Sequence, residues 1–380
     1  MFQPLMNRLR PFATGLFPEP PSKPVYPGEI YAVTTRAWGS HQKGDYVMAY
    51  HPDRAMPQRP TVVIYLHGFT FCNPFFYDAH MRHLAKQGAF VFFVDYQIDS
   101  FQDTQTPEPP DSDLDTIEAF VKAALDSFTT TGEAMIRTAW ATVKTAMEAT
   151  HLSADACDIV LFGHSVGGLF ALSWPYFNGP EGIQAIFAAD PIPATASLPS
   201  FLMDAARKEN ARTSDIDLSL FPFLAQPVKA SETGKGLSDI PIAILVGNSD
   251  KFVKISDWTQ LWPDLATVHK RLYISQTDTY YGIYRCDAQR ALTAYHNQSV
   301  TNTLLYGPED LQSLLGGAGI ENDLRWRCVW AGLDAILQGA RADQLTFDMG
   351  RWSNGKPVRR VKAWPLAPKR TTRQVGVIPG

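Results

Sequence analysis

The stretch DIVLFGHSVGG, residues 158–168, runs without a break from strand sequence into helix sequence. Asp158–Gly163 (DIVLFG) is a continuous apolar run, the pattern of a strand covered on both faces. Val166–Tyr176 reads as the helix that follows. Their junction, Gly163-His164-Ser165-Val166-Gly167, matches G-x-S-x-G. At ordinary Gly and Ser frequencies a chain of this length gives roughly one such match in eight by chance, so the setting decides its meaning. A turn this sharp leaves no room for a side chain at either glycine. It forces Ser165 into a strained backbone state with its hydroxyl exposed above the sheet, in front of a helix N-terminus that favours developing negative charge. The plainer reading, a glycine-rich turn with an incidental serine, does not account for the position at a strand–helix junction.

Working outward, the same alternation recurs. Thr61–His67 (TVVIYLH) and Ala89–Tyr96 (AFVFFVDY) are further buried strands. Between them Asn73-Pro74 offers a cap and a first-turn proline for a helix reaching Gln87, with Gly88 ending it. Helical sequence spans about Asp113 to Thr150, broken near Thr129–Gly132. Strands are expected at Ile183–Ala189, Ile240–Val246 and Arg271–Ser275, and a closing helix at Asp323–Gln338. Two antiparallel strands, near Glu29–Thr34 and Asp45–His51, precede the series. The expected fold is α/β: a mostly parallel central sheet with helices on both faces.

Three segments fall outside that alternation. Residues 1–28 hold seven prolines between Pro4 and Pro27, too many for a regular helix or central strand, and read as an arm over the surface. Residues 191–238 are mixed in pattern, with Phe201, Leu202, Leu218, Phe221 and Phe223, and read as a cap or lid at the carboxyl edge of the sheet. Residues 346–380 carry Lys356, Arg359, Arg360, Lys362, Lys369 and Arg370 and read as a basic, solvated tail. The catalytic domain is then 29–345.

Composition narrows the classes of partner. The chain has 380 residues, 45% hydrophobic and 19% charged, with a formal net charge of -4, and no basic stripe interleaved with aromatics for nucleic acid. No run approaches the roughly 18 apolar residues of a bilayer span, and residues 1–20 lack the apolar core of a secretory signal. Cys72, Cys157, Cys286 and Cys328 are scattered without metal or redox spacing. The expectation is a soluble cytoplasmic protein with free thiols and neither metal nor organic cofactor.

An acyl-transfer site needs oxyanion donors, an acid and a base. The N–H of Val166, after the nucleophile, is one donor; the loop His67-Gly68-Phe69-Thr70 after the first buried strand supplies the other, nominated as the Phe69 N–H. His67 itself reads as a structural loop histidine. In sites of this kind the chain order is nucleophile, acid, histidine. Asp250, in the turn Gly247-Asn248-Ser249-Asp250 after a strand, is the preferred acid, and Asp190, after an earlier strand, the alternative. Only His269 and His296 lie beyond Asp250. His269 precedes its strand, at the wrong edge, so His296 is the candidate base, provided the loop 277–295 arches back over the site. Phe69, Phe71, Phe75, Phe76, Tyr280 and Tyr281 fall on segments near the carboxyl edge and suggest an apolar substrate; core packing is the alternative for each.

Thr61–Tyr96 (TVVIYLHGFTFCNPFFYDAHMRHLAKQGAFVFFVDY), GHSVGG from Gly163 and Ala189-Asp190-Pro191 resemble the chlorophyllase branch of the α/β-hydrolases, beside the dienelactone hydrolases, platelet-activating-factor acetylhydrolases and cutinase-like polyesterases. The resemblance covers about Arg59 to Asp250, half the chain. It implies the α/β-hydrolase fold and an esterase or lipase-like activity on a small-molecule, lipid-like or polyester-like ester. It implies Ser165 as nucleophile, the backbone at Phe69 and Val166 as oxyanion donors, and Asp250 as acid. Chlorophyllases usually carry arginine at the position of Val166, and the chain beyond Tyr280 departs from them, so chlorophyll is not implied as substrate. Two other readings stay open: an amide or peptide hydrolase using the same triad, and a non-catalytic binding protein on the same scaffold.

Overall fold

The computed structural model describes residues 18–54, 59–97, 105–108, 126–127, 129–197, 222–279, 291–301 and 321–365. The apolar runs form strands where their patterning requires. Six of them, Thr61–Leu66 (β3), Phe90–Val94 (β4), Asp158–His164 (β5), Ile183–Ala189 (β6), Ile242–Gly247 (β7) and Lys270–Ser275 (β8), pair in parallel in the spatial order β4-β3-β5-β6-β7-β8. Val33–Trp38 (β1) and Val47–Pro52 (β2) extend the β4 side with antiparallel pairing. Every residue of β7 is buried, and only Thr61 of β3 is not, as expected of strands covered on both faces. This mostly parallel, twice-covered sheet, with the sharp turn at the end of its central strand β5, is the α/β-hydrolase fold.

Helices fill the crossovers. Asp78–Lys86 (α1) links β3 to β4; Gly132–Ala149 (α2) precedes β5; Val166–Ser173 (α3) follows it. Thr131 caps α2, its side chain accepting from the Ala134 N–H. The Asn73 cap also forms, at 2.9 Å to the Phe75 N–H, but the first turn after it, Pro74–Tyr77, is a 3₁₀ turn, and α1 proper starts at Asp78. The closing helix likewise splits, into a π-helical turn at Arg325–Trp330 and an α-helix at Ala331–Leu337 (α4).

Several boundaries move for identifiable reasons. β1 begins at Val33 rather than Glu29 because the N–H groups of Ile30 and Tyr31 both turn to the Lys86 carbonyl, satisfying the end of α1 at 3.0 Å. β7 begins after Pro241, which has no N–H to give to a ladder. Within the arm, Tyr26 lies edge-on to His83 at 4.3 Å between ring centroids, and Lys23 sits 4.4 Å above the Trp330 ring.

The reading of 346–380 as a solvated tail is corrected over its described part. Met349, Trp352 and Val358 are buried, and Lys362–Trp364 (β9) pairs antiparallel with β8 as the outer strand of a sheet that has nine strands among the described residues. The Trp352 indole N–H and the Arg359 N–H both donate to Asp278. Charge density dominated the sequence there, yet lysines on an edge strand are what keep such an edge from pairing with other chains. Residues 366–380 lie outside the described residues.

Of the 191–238 segment, residues 191–197 and 222–238 are described. They lie off the sheet, since β6 and β7 are direct neighbours. Two one-turn helices, Pro222–Ala225 and Ala230–Thr233, bury Phe223, and Thr233 bonds Ser173 on α3 at 2.8 Å. Among the described residues no helix is long and apolar enough to cross a membrane, and Cys72, Cys157 and Cys328 are each buried and outside any disulfide.

Trp352→Ala should therefore lower stability by about 3–5 kcal/mol, the cost of emptying a buried indole site. Urea unfolding of the two proteins measures it; a residue of a solvated tail would leave the midpoint unchanged.

Candidate active site

Ser165 sits between β5 and α3 with φ 54° and ψ −116°, a left-handed state that a non-glycine residue avoids. Backbone on both sides holds it there. Its N–H donates to the Ala189 carbonyl on β6, and the Gly167 N–H to the His67 carbonyl at the end of β3, each at 3.0 Å. A Cβ on Gly163 would stand 2.1 Å from the Gly167 carbonyl oxygen, and one on Gly167 would stand 2.3 Å from the carbonyl oxygens of Leu66 and His67. The two glycines of the motif are thus required by backbone, which cannot give way. Ser165 is buried but for 4% of its surface, and Val166 opens α3, where helical N–H groups have no intrahelical partner.

Three side chains converge on this turn. The Ser165 hydroxyl lies 2.9 Å from His296 Nε2, and His296 Nδ1 lies 2.9 Å from Asp250 Oδ2. Asp250 is held in turn by its other oxygen, which accepts the N–H groups of Phe252 at 2.8 Å and Val253 at 3.0 Å. One carboxylate oxygen is spent on the turn and the other faces the imidazole. Nδ1–H then donates to Asp250, which leaves Nε2 able to accept the serine proton.

His296 reaches the site although it comes twenty-one residues after β8 ends. The returning chain pairs Ala291–Leu292 with Asp278–Thr279, and the Ser249 N–H takes the Ala294 carbonyl at 3.2 Å. A buried guanidinium pins the far side: Arg325, in the π-helical turn, donates to the carbonyls of Val300 at 2.5 Å and Asn297 at 2.8 Å. Burial pushes Arg325 down to about 9, so it stays charged at neutral pH. Nothing in the local sequence marks Arg325 for this role, because its partners lie on another segment.

Asp190, the alternative acid, lies behind Asp250. It accepts from the Gly247 N–H at 2.9 Å and from the Gln298 side-chain amide at 2.9 and 2.8 Å. Burial, and then the Asp250 charge, raise its pKa well above the ordinary carboxylate range, so its carboxyl is held towards the neutral form. His269 stands at the amino end of β8, 3.9 Å from Asp343. His67 bonds the Gly68 carbonyl at 2.7 Å and Asp95 at 3.2 Å, and Asp95 also takes His41 at 2.7 Å.

The aromatic candidates divide. Phe76 is fully buried and Phe71 nearly so, packed edge to face at 5.1 Å, which is core packing. Phe69 is buried and Phe75 half-buried. Tyr280 and Tyr281 lie outside the described residues. Phe252, which sequence reasoning passed over, stands edge-on to the His296 ring at 5.0 Å. Thr70, beside Phe69, has φ 63°, unusual for a β-branched residue, and its N–H bonds the Gln97 side chain at 3.1 Å.

The chain matches no family model and no curated protein. Among solved structures it is similar to an esterase from Pyrococcus furiosus, at 16% identity over 68% of this chain and 90% of that one, with a TM-score of 0.45. An S-formylglutathione hydrolase from Agrobacterium tumefaciens is similar at 17% identity over 68% and 91%, with a TM-score of 0.41. An acylaminoacyl peptidase from Pyrococcus horikoshii is similar at 11% identity over 65% and 36%, with a TM-score of 0.42. The class is defined by the chain's own strand order and elbow: an α/β-hydrolase fold with a bonded Ser–His–Asp arrangement at its carboxyl edge.

The two acids are separable by substitution. Asp250→Asn should lower kcat by about 10⁴, since the amide cannot stabilise an imidazolium. Asp190→Asn, which mimics a neutral carboxyl, should stay within about tenfold of the parent. Steady-state kinetics on the two purified variants checks the order.

Proposed function

We propose that this protein is a serine hydrolase that cleaves carboxylic esters through an acyl-enzyme. The observation that carries the reading is the unbroken hydrogen-bond path from the Ser165 hydroxyl through His296 to Asp250, mounted on a strained elbow. His296 Nε2 takes the hydroxyl proton as Ser165 Oγ attacks the ester carbonyl. The Val166 and Phe69 N–H groups receive the developing oxyanion. The imidazolium, held by Asp250, gives its proton to the departing alcohol. Water then attacks the acyl-serine with His296 again as base, and the acid leaves.

The substrate proposed is an apolar small-molecule or lipid-like ester, including polyester-like chains. Phe252 against the base gives the site an apolar wall. Amide hydrolysis uses the same three groups and is the second reading; matched ester and anilide substrates separate the two. A non-catalytic scaffold would have no use for a bonded triad.

A fluorophosphonate probe should label the protein at Ser165, and Ser165→Ala should abolish labelling and lower ester kcat by about 10⁶ with an unchanged circular dichroism spectrum. Mass spectrometry of the labelled peptide, together with a panel of p-nitrophenyl esters of rising acyl length, tests both nucleophile and substrate class. Full activity in Ser165→Ala would end the proposal.

A further inference from the structure

Two buried residues that take no part in proton transfer join the two halves of the site. The Gly68 N–H donates to the Tyr77 phenol oxygen at 2.9 Å. That oxygen lies 2.9 Å from His164 Nδ1, and His164 Nε2 lies 3.1 Å from the His296 carbonyl oxygen. The ends fix the direction of this path. An amide N–H can only donate and a carbonyl can only accept. Tyr77 therefore accepts from Gly68 and passes its single proton to Nδ1, and His164 carries its own proton on Nε2. Every donor and acceptor along the path is used when His164 is neutral. A second ring proton would face the Tyr77 oxygen and leave the phenol hydrogen without a partner.

Tyr77 and His164 are both fully buried. Burial first, and then the neighbouring His296, hold His164 well below the ordinary histidine range, which agrees with the neutral form that the bonding requires. The two imidazole centroids stand 5.4 Å apart. A neutral ring at that distance does not oppose the positive charge that His296 gains during acylation, whereas a second cation would.

The path also explains one glycine through another motif. A Cβ on Gly68 would fall 2.6 Å from His164 Nδ1, so the ring occupies the space a side chain at 68 would need. Gly68 is then held at both ends: its N–H by Tyr77, and its carbonyl by the Phe71 N–H at 3.0 Å and His67 Nδ1 at 2.7 Å. That carbonyl belongs to the same rigid peptide plane as the Phe69 N–H. Fixing one aims the other.

We infer that Tyr77 and His164 are positioning residues, which lock the orientation of the Gly68–Phe69 peptide to the backbone of the base so that oxyanion donor and imidazole keep one geometry. The inference rests on the hydrolase reading of Ser165, His296 and Asp250. It assigns a role in the transition state more than in ground-state binding, because the oxyanion exists only there.

The test uses the full chain and p-nitrophenyl butyrate, with active sites counted by fluorophosphonate titration and kcat expressed per titrated site. Tyr77→Phe and His164→Leu should each lower that kcat by about 10- to 100-fold, with KM within about threefold, the pattern of a misaimed group acting in the transition state. His164→Gln, whose amide can accept from Tyr77 and donate to the His296 carbonyl, should recover most of the loss. The double variant Tyr77→Phe/His164→Leu should be no worse than its weaker parent, since one path is broken either way. A merely structural role would lower thermal stability or the titratable fraction and leave kcat per titrated site at the parent value; that result overturns the inference. If His164→Leu does not fold, Tyr77→Phe, which removes a single oxygen, decides alone. A parent protein that the probe does not label would overturn the hydrolase reading itself, and a labelled parent with unaffected variants would overturn only the positioning role.

Discussion

The left-handed backbone of Ser165 is the constraint on which the rest of this site depends. Holding a serine there costs on the order of 1–3 kcal/mol, and no local interaction in the turn could offset that. The restraint comes from neighbouring strands: the Ser165 N–H is fixed to β6 and the Gly167 N–H to the end of β3, one on either side of β5. The elbow is therefore a product of the assembled parallel sheet. Because β3, β5, β6 and β7 pair in parallel, Ser165, the loop at Gly68 and the turn at Asp250 all open on the same edge.

How much of this was readable follows from where each signal resides. Strands buried on both faces declare themselves in their own residues, and β3, β4, β5 and β6 stand where their apolar runs are. Boundaries set by a partner elsewhere do not. β1 starts late because Ile30 and Tyr31 cap a helix more than fifty residues further on. Lys362–Trp364 joins the sheet because β8 offers it an edge, while three residues beside Arg359 and Arg360 are too short to show a strand pattern of their own. Among site residues, Ser165 is marked by a local motif and His296 by chain order. Arg325, Gln298 and Tyr77 act on segments remote from them in sequence, and carry no local mark at all.

Asp190 and Asp250 illustrate the same limit at a single choice. Both follow buried strands, β6 and β7, at the same edge, so chain position alone leaves either able to serve. What separates them is their surroundings. Asp250 is in a turn whose amides occupy one oxygen and leave the other to the imidazole. Asp190 is sealed beneath, with Gly247 and Gln298 as its partners. Two ionised carboxylates in that space would repel, and burial penalises the deeper one more. The result is that Asp250 faces His296, with a carboxyl held towards neutrality behind it.

The late position of His296 carries a cost that the surrounding interactions offset. A base on a long return loop must be ordered to within a fraction of an ångström, because a displacement of about 1 Å can cost 100-fold in rate. Loop backbone is normally mobile and exposed. Here the segment from Asn297 to Thr301 is buried and its carbonyls are bonded by a guanidinium, while the Thr301 N–H reaches the Phe76 carbonyl at 2.8 Å. Arginine suits this task better than lysine: its planar fork holds two carbonyls at fixed spacing, and it stays protonated at neutral pH even after burial lowers it to about 9. Residues 296–301 are thereby packed like a core element, which suits the role proposed for His296.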